Sequence, residues 1–362
     1  MTKPGISGLQ WFVILAVTSI AMGPLRFPAY LSQQMDQHGW ILLLLALAIS
    51  LWNTYVAVRL SSRHPGAEIA EWSRLYLGKF LSAVYIGCIA IYFFIWGYLT
   101  FGEHWLLVSY LQLKYTPVYT IVLLVMPVVL YMVWKGTEAW ARLFLLLGFV
   151  MAVWLLSINL PQLRNINVTN LLPLGNLGLP NLFGKNILTI FYLFKGFAVL
   201  YFLSPLIQSD KNLLRLSAAA TVTAGAEVML SYLLPIMVFG YETAKTFTFP
   251  YQESMETVPF LLLPFEKLSF LAPLFFVLVN IMILIVCVTC CSQALCRLFN
   301  TRRIKRMYVI VTVLMSLAFL RTLTVNEVDQ LVYITALIFG AIFVLIPNYM
   351  WIVTLFRKEK TR

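Results

Sequence analysis

The chain has 362 residues, of which 61% are apolar and only 11% charged, and its mean hydropathy is +0.87. A soluble domain carries about 45–50% apolar and about 25% charged residues, so this composition needs a bilayer as solvent and sets aside a soluble enzyme. The net charge of +12 does not point to nucleic acid. Its basic residues sit in short patches between apolar runs, with no basic face interleaved with aromatics, a pattern that fits topology signals and anionic lipid headgroups.

Ten runs reach the ~20 apolar residues needed to cross ~30 Å of hydrocarbon: 9–30, 39–60, 80–111, 117–134, 139–160, 182–208, 216–240, 270–298, 307–323 and 331–356. No soluble block interrupts them, so the expectation is a single all-α membrane domain. Lys3 precedes the first run as in a signal sequence, but the run is long and no clean small-x-small cleavage site follows, so it reads as an uncleaved span. Gly23-Pro24 and then Pro28 interrupt that span, because proline removes a backbone donor and glycine weakens a helix. Arg26, in its outer half, is expected to snorkel.

The third run exceeds what a perpendicular helix needs and is expected to tilt. Glu103 and His104 lie roughly 35 Å along it, near an outer vestibule, where they either meet a ligand or are simply solvated. Between the fourth and fifth runs, Glu138 and Arg142 are spaced i,i+4 for a local ion pair. Two long connections follow, 160–181 and 241–269. Asn167-Val-Thr169 in the first matches a glycosylation sequon too short to carry weight. "FPYQESMETVPFLLLPFEK" in the second predicts a short surface helix rather than a crossing.

The sixth run holds Lys195-Gly196 near its centre and Pro205 beyond. A freed backbone group in hydrocarbon needs a partner in protein or in a wet cavity, so the interruptions in runs one and six predict a cavity. Their starting points are five spans apart, an odd number, so the second half enters from the opposite side. Interrupted helices at matching places in two inverted five-span halves (9–160 and 182–356) point to a transporter-type site near the midplane.

Lys195 lies roughly 20 Å and Glu227 roughly 16 Å into their spans. An unpaired charge there costs at least ~2.5–3.5 kcal/mol, so Lys195 is expected to pair with Glu227 or with a ligand carboxylate. A structural ion pair is the competing reading. Asn280, in mid-span, either glues helices or contacts ligand. Phe191, Tyr192, Phe194 and Phe197 either close over a small apolar group or pack. The expected ligand contacts are therefore Gly23, Pro24, Phe194, Lys195, Gly196, Glu227 and Asn280.

Four of the five cysteines, Cys287, Cys290, Cys291 and Cys296, share one run, and Cys287-Val-Thr-Cys290 is formally CxxC. A second pair for zinc is not visible, so they read as small buried hydrophobes. With three histidines and no HExxH, Walker loop or GxSxG, neither catalysis nor a metal or cofactor is expected. Lysines and arginines concentrate in one set of connections, including Arg59, Arg63, Lys135, Arg142, Arg302, Arg303 and the C-terminal tail. By the positive-inside rule both termini are cytoplasmic.

Several connecting segments carry a resemblance: "HPGAEIAEWSRLYLGK" (64–79), "TPVY" (116–119), "YMVWKGTEAWAR" (131–142), "NLLPL" (170–174), "VFGYE" (238–242) and "FEKLS" (265–269). Together they resemble the B subunits of spore germinant receptors, the endospore germination permeases of the amino acid–polyamine–organocation superfamily. Glu266-Lys267-Leu268-Ser269 departs from the family's usual Glu-Arg-x-Asp. The resemblance implies a ten-helix, LeuT-like inverted repeat in the spore inner membrane. It also implies sensing of a small nutrient, often an amino acid, beside a receptor A subunit and a lipoprotein C subunit. An amino-acid uptake permease working by alternating access is the rival function. The connections are too short for a signalling domain, so in a sensor the output falls to partner chains.

Overall fold

A computed structural model describes residues 5–20, 27–35, 38–111, 115–172, 193–207, 212–257 and 271–356. Among these residues the chain is helical and forms no strand. In order come α1 (Gly8–Ile20), α2 (Phe27–Met35), α3 (Gly39–Arg63), α4 (Ile69–Leu111), α5 (Val118–Lys135), α6 (Thr137–Gln162), α7 (Leu200–Leu203) and α8 (Leu213–Phe239). They are followed by α9 (Tyr241–Ala244), α10 (Pro250–Glu256), α11 (Ala272–Leu298), α12 (Ile304–Phe319), α13 (Val325–Phe339) and α14 (Ile346–Phe356).

Among the described residues seven helical stretches are long and apolar enough to cross a membrane: Gly39–Arg63, Ile69–Tyr110, Val118–Lys135, Thr137–Gln162, Leu213–Phe239, Ala272–Leu298 and Val325–Phe356. The protein is thus an integral membrane protein. Of the first and sixth expected spans the described residues include the apolar pieces Gly8–Ile20 and Lys195–Leu206, and the ninth expected span contains α12.

Glycine sets several boundaries. Gly78 (φ 77°) divides α4 into a short leading helix and the long span expected from residue 80. Gly136 (φ 96°) allows α5 and α6 to meet in a one-residue turn, and Gly240 (φ 80°) separates α8 from α9. At the other end of the chain, the π-helical segment Gly340–Leu345 precedes Pro347. There the Ile346 N–H reaches back five residues to Ala341. In that register the Ile342 carbonyl faces the proline, which has no N–H, and the Tyr85 hydroxyl donates to it at 3.0 Å.

α4 and α11 form the centre of the bundle, antiparallel to each other. α11 is buried nearly all round, as its uninterrupted apolar sequence requires, and its four cysteines are buried free thiols. α1 lies in a second layer against α8, α6 and the Lys195–Leu206 segment. Outward-facing Phe80, Leu123, Phe149 and Leu345 are exposed; lipid is the solvent that accepts such a surface. Glu138 and Arg142 form the expected local pair. Asn167 serves as a turn cap, accepting from the Thr169 N–H at 3.0 Å. The predicted surface helix is present as α10, too short to cross, with Tyr251, Gln252, Ser254 and Met255 buried against the bundle.

Candidate functional site

The two interrupted segments meet. Ile6 N–H donates to the Leu206 carbonyl at 2.8 Å, while at the other end Gly196 lies on the α1 backbone between Leu15 and Ser19. The chain leading through α1 and the 195–206 segment therefore run antiparallel and touch at both ends. A Cβ on Gly196 would sit 2.8 Å from the Ser19 backbone nitrogen and 2.9 Å from the Leu15 carbonyl oxygen. Only a glycine admits this approach.

The segment itself is not a continuous α-helix. Lys195–Val199 is a 3-10 turn, α7 supplies a single α turn, and Ser204–Leu206 is again 3-10, with Pro205 inside it. Phe194 precedes it in the left-handed region (φ 50°, ψ 30°), a conformation that costs a non-glycine residue about 1–3 kcal/mol. Its freed carbonyl accepts from the Ser50 hydroxyl of α3 at 2.8 Å. Strain and backbone satisfaction are thus both built into the place where the sequence predicts a break.

Lys195 points into the bundle, 2% exposed. Its Nζ lies 4.9 Å from the centroid of the Trp96 ring on α4, within range of a cation–π interaction, which is worth about 2 kcal/mol when desolvated. The carboxylate whose charge acts on it is Glu103, two helical turns along α4. Glu103 and His104 are buried, which corrects solvation, one of the two readings the sequence left open for them. The same face of α4 carries polar atoms with no hydrogen-bond partner among the described residues: Trp96 Nε1, Thr100 Oγ1 and both ring nitrogens of His104. Opposite, on α11, Asn280 Nδ2 donates to the Thr100 carbonyl at 3.5 Å, while its buried Oδ1 has no partner among the described residues.

Glu227 is elsewhere. It is 8% exposed on α8, and Asn159 Nδ2 of α6 donates to its Oε2 at 3.1 Å. The Tyr251 hydroxyl of α10 lies 3.0 Å from Glu227 Oε1 and 2.6 Å from Asn159 Oδ1. The expected Lys195–Glu227 pair does not form, because the two side chains face different neighbours. Glu227 and Tyr251 are the polar residues in a cavity of roughly 40 Å³, otherwise walled by apolar side chains such as Ile20 of α1, Trp154 of α6 and Phe276 of α11. At about 10–15 Å³ per water centre, that is room for a few waters or a small aliphatic group.

The expected site residues fall into three neighbourhoods. Phe194, Lys195 and Gly196 stand together at the broken segment; Asn280 faces α4 beside it; Glu227 belongs to the cavity between α6, α8 and α10. Gly23 and Pro24 lie outside the described residues, between α1 and α2. Sequence reasoning missed Trp96, Asn159 and Tyr251. The available signals were a tryptophan two turns before Glu103, an asparagine inside an apolar run, and a tyrosine in the amphipathic surface segment.

A family model described as "Spore germination protein" matches residues 5–354. Two curated relatives come from Bacillus subtilis (strain 168). Spore germination protein YndE is 23% identical over 360 residues, covering 98% of this chain and 97% of the relative. Spore germination protein B2 is 22% identical over 244 residues, covering 67% of this chain and 66% of the relative.

Proposed function

The chain belongs to the spore germination permease family, and we propose that it is the membrane-embedded, nutrient-sensing subunit of a spore germinant receptor. Its ligand is a small germinant of amino-acid type, held where the broken sixth hydrophobic segment lies against α1. The observation that carries this reading is one convergence. A buried lysine stands on a strained 3-10 segment, that segment lies against the backbone of α1, and unpartnered polar atoms of Trp96, Thr100, His104 and Asn280 line the facing helices. Buried polar groups normally find partners, and a zwitterion supplies both donors and acceptors. In this arrangement Lys195 meets the ligand carboxylate and the orphaned acceptors meet its ammonium group.

The same reading takes α1–α2, the 195–206 segment and α12 as three further crossings, which brings the count to ten and arranges the halves as a five-plus-five inverted repeat. It places the chain in the spore inner membrane with both termini in the cytoplasm. Ligand binding shifts the equilibrium between two arrangements of the broken segments, which requires unequal affinity for them. Partner A and lipoprotein C subunits carry the signal onward. The test pairs two measurements. Spores carrying Lys195→Ala or Gly196→Leu are expected to lose germination with the cognate amino acid. The reconstituted protein is expected to show no concentrative uptake of that amino acid; robust uptake would instead identify an alternating-access permease.

A further inference from the structure

The Asn159–Tyr251–Glu227 ring contains a proton count. Three contacts close it: Asn159 Nδ2 to Glu227 Oε2 at 3.1 Å, Tyr251 Oη to Asn159 Oδ1 at 2.6 Å, and Tyr251 Oη to Glu227 Oε1 at 3.0 Å. Three hydrogen bonds need three hydrogens pointing around the ring. The asparagine amide supplies one and the tyrosine, with a single O–H, supplies one. The asparagine oxygen can only accept, so the tyrosine hydrogen belongs to the short contact with Asn159. Tyr251 Oη then turns a lone pair toward Glu227 Oε1. That contact is a hydrogen bond only when Glu227 Oε1 bears a proton. Turning the asparagine amide over does not remove the requirement, since its oxygen would then face Glu227 Oε2 and need the proton there.

The surroundings agree with the count. α1 presents Val17 and Ile20 to this cavity, α6 presents Trp154, and α11 presents Phe276 and Val279. Among the described residues no lysine, arginine or histidine lines this cavity, and Tyr251 is the titratable group in contact with the carboxyl.

We propose that Glu227, Asn159 and Tyr251 form a proton-binding site that fastens the surface helix α10 to the spans α6 and α8, closing the cavity when Glu227 is protonated and releasing α10 when the proton leaves. The bound species is a single proton. The departing proton passes to water entering the cavity, which leaves Glu227 as carboxylate and the ring with two hydrogens for its three contacts, so that Tyr251 can donate to Asn159 or to Glu227 but not to both. The site is independent of the germinant and holds for a sensor and for a transporter alike.

Ser254, on α10, is fully buried, so Ser254→Cys reports release of this helix. The full chain, reconstituted in liposomes, is treated with a membrane-impermeant maleimide, and the rate is normalised to that of Tyr115→Cys, an exposed position. For a one-proton site, the normalised Ser254→Cys rate rises about tenfold per pH unit as the proton is lost, until α10 is fully released. Adding Glu227→Gln keeps the third donor and holds the rate low at every pH, whereas adding Tyr251→Phe opens α10 at every pH. Infrared spectra of the wild-type chain at low pH carry a protonated-carboxyl C=O band that Glu227→Gln lacks. A normalised rate that does not change with pH in the Ser254→Cys chain overturns the proposal. So does a Glu227→Gln chain labelled as readily as Tyr251→Phe, or a low-pH infrared spectrum without the band.

Discussion

Gly196→Ala is the smallest change that tests how the broken segment is seated. The new methyl carbon lies 2.2 Å from Ser19 Oγ, 2.8 Å from Ser19 N and 2.9 Å from Leu15 O. A hydroxyl can rotate away from the first contact, but the other two involve backbone atoms inside α1, which cannot move without disturbing that helix. Overpacking of this kind costs about 1–3 kcal/mol, and no gain in helix propensity offsets it in a 3-10 turn. At 1.4 kcal/mol per tenfold, the folded state loses roughly 5- to 150-fold in its equilibrium constant. Ser19→Ala in the same chain removes only the hydroxyl contact and is expected to recover little. Gly87→Ala is the control: it lies in α4 with its nearest neighbour, Leu298 Cδ2, at 3.9 Å, and gains about 0.5–1 kcal/mol from helix propensity. Thermal unfolding in detergent, followed by fluorescence-detected gel filtration, ranks the three variants. A Gly196→Ala protein as stable as the parent would refute the close seating of 195–206 on α1.

Thr324 and Glu327 form a reciprocal capping box at the start of α13, so Thr324→Ala is expected to cost about 0.5–2 kcal/mol in the same assay. Tyr85→Phe strips the hydroxyl from the Ile342 carbonyl that Pro347 leaves without a donor, at a cost of about 1–3 kcal/mol for an unsatisfied buried acceptor; pairing it with Pro347→Ala, which returns an N–H, should recover part of that loss. Arg297 bridges Glu68 at 2.8 Å and Glu71 at 3.5 Å on a partly exposed surface. Arg297→Ala should therefore change stability by no more than about 1 kcal/mol, and less at high salt.

The direction in which each span turns its polar residues was not readable from the chain. Counting residues along an apolar run places Lys195 and Glu227 at similar levels, but which way each helix turns its face depends on neighbours distant in sequence. Glu227 is fastened by Tyr251, 24 positions later, and by Asn159, 68 positions earlier, and no local periodicity announces either. Glu103 and His104 look terminal when residues are counted along one long run, yet the fold covers them. Gly196 was legible as a helix breaker, but its second role, close contact with Leu15 and Ser19, belongs to tertiary packing. By contrast, seven of the ten apolar runs, the short surface helix within 249–267 and the local Glu138–Arg142 pair follow from interactions within a few residues, and the fold reproduces them. A 3-10 segment at Lys195 was foreseeable because glycine and a buried charge in mid-span already oppose a continuous helix.

The account stands or falls on Lys195 facing a small zwitterion. Equilibrium binding of radiolabelled amino acids to the reconstituted protein tests it, with Lys195→Met compared against the parent at matched thermal stability. Saturable binding of a particular amino acid by the parent, lost by at least about tenfold in Lys195→Met, as expected when a charged hydrogen bond worth roughly 1.5–3 kcal/mol is removed, is the predicted result. Equal affinity in the two proteins, or no amino acid bound by the parent, would contradict it.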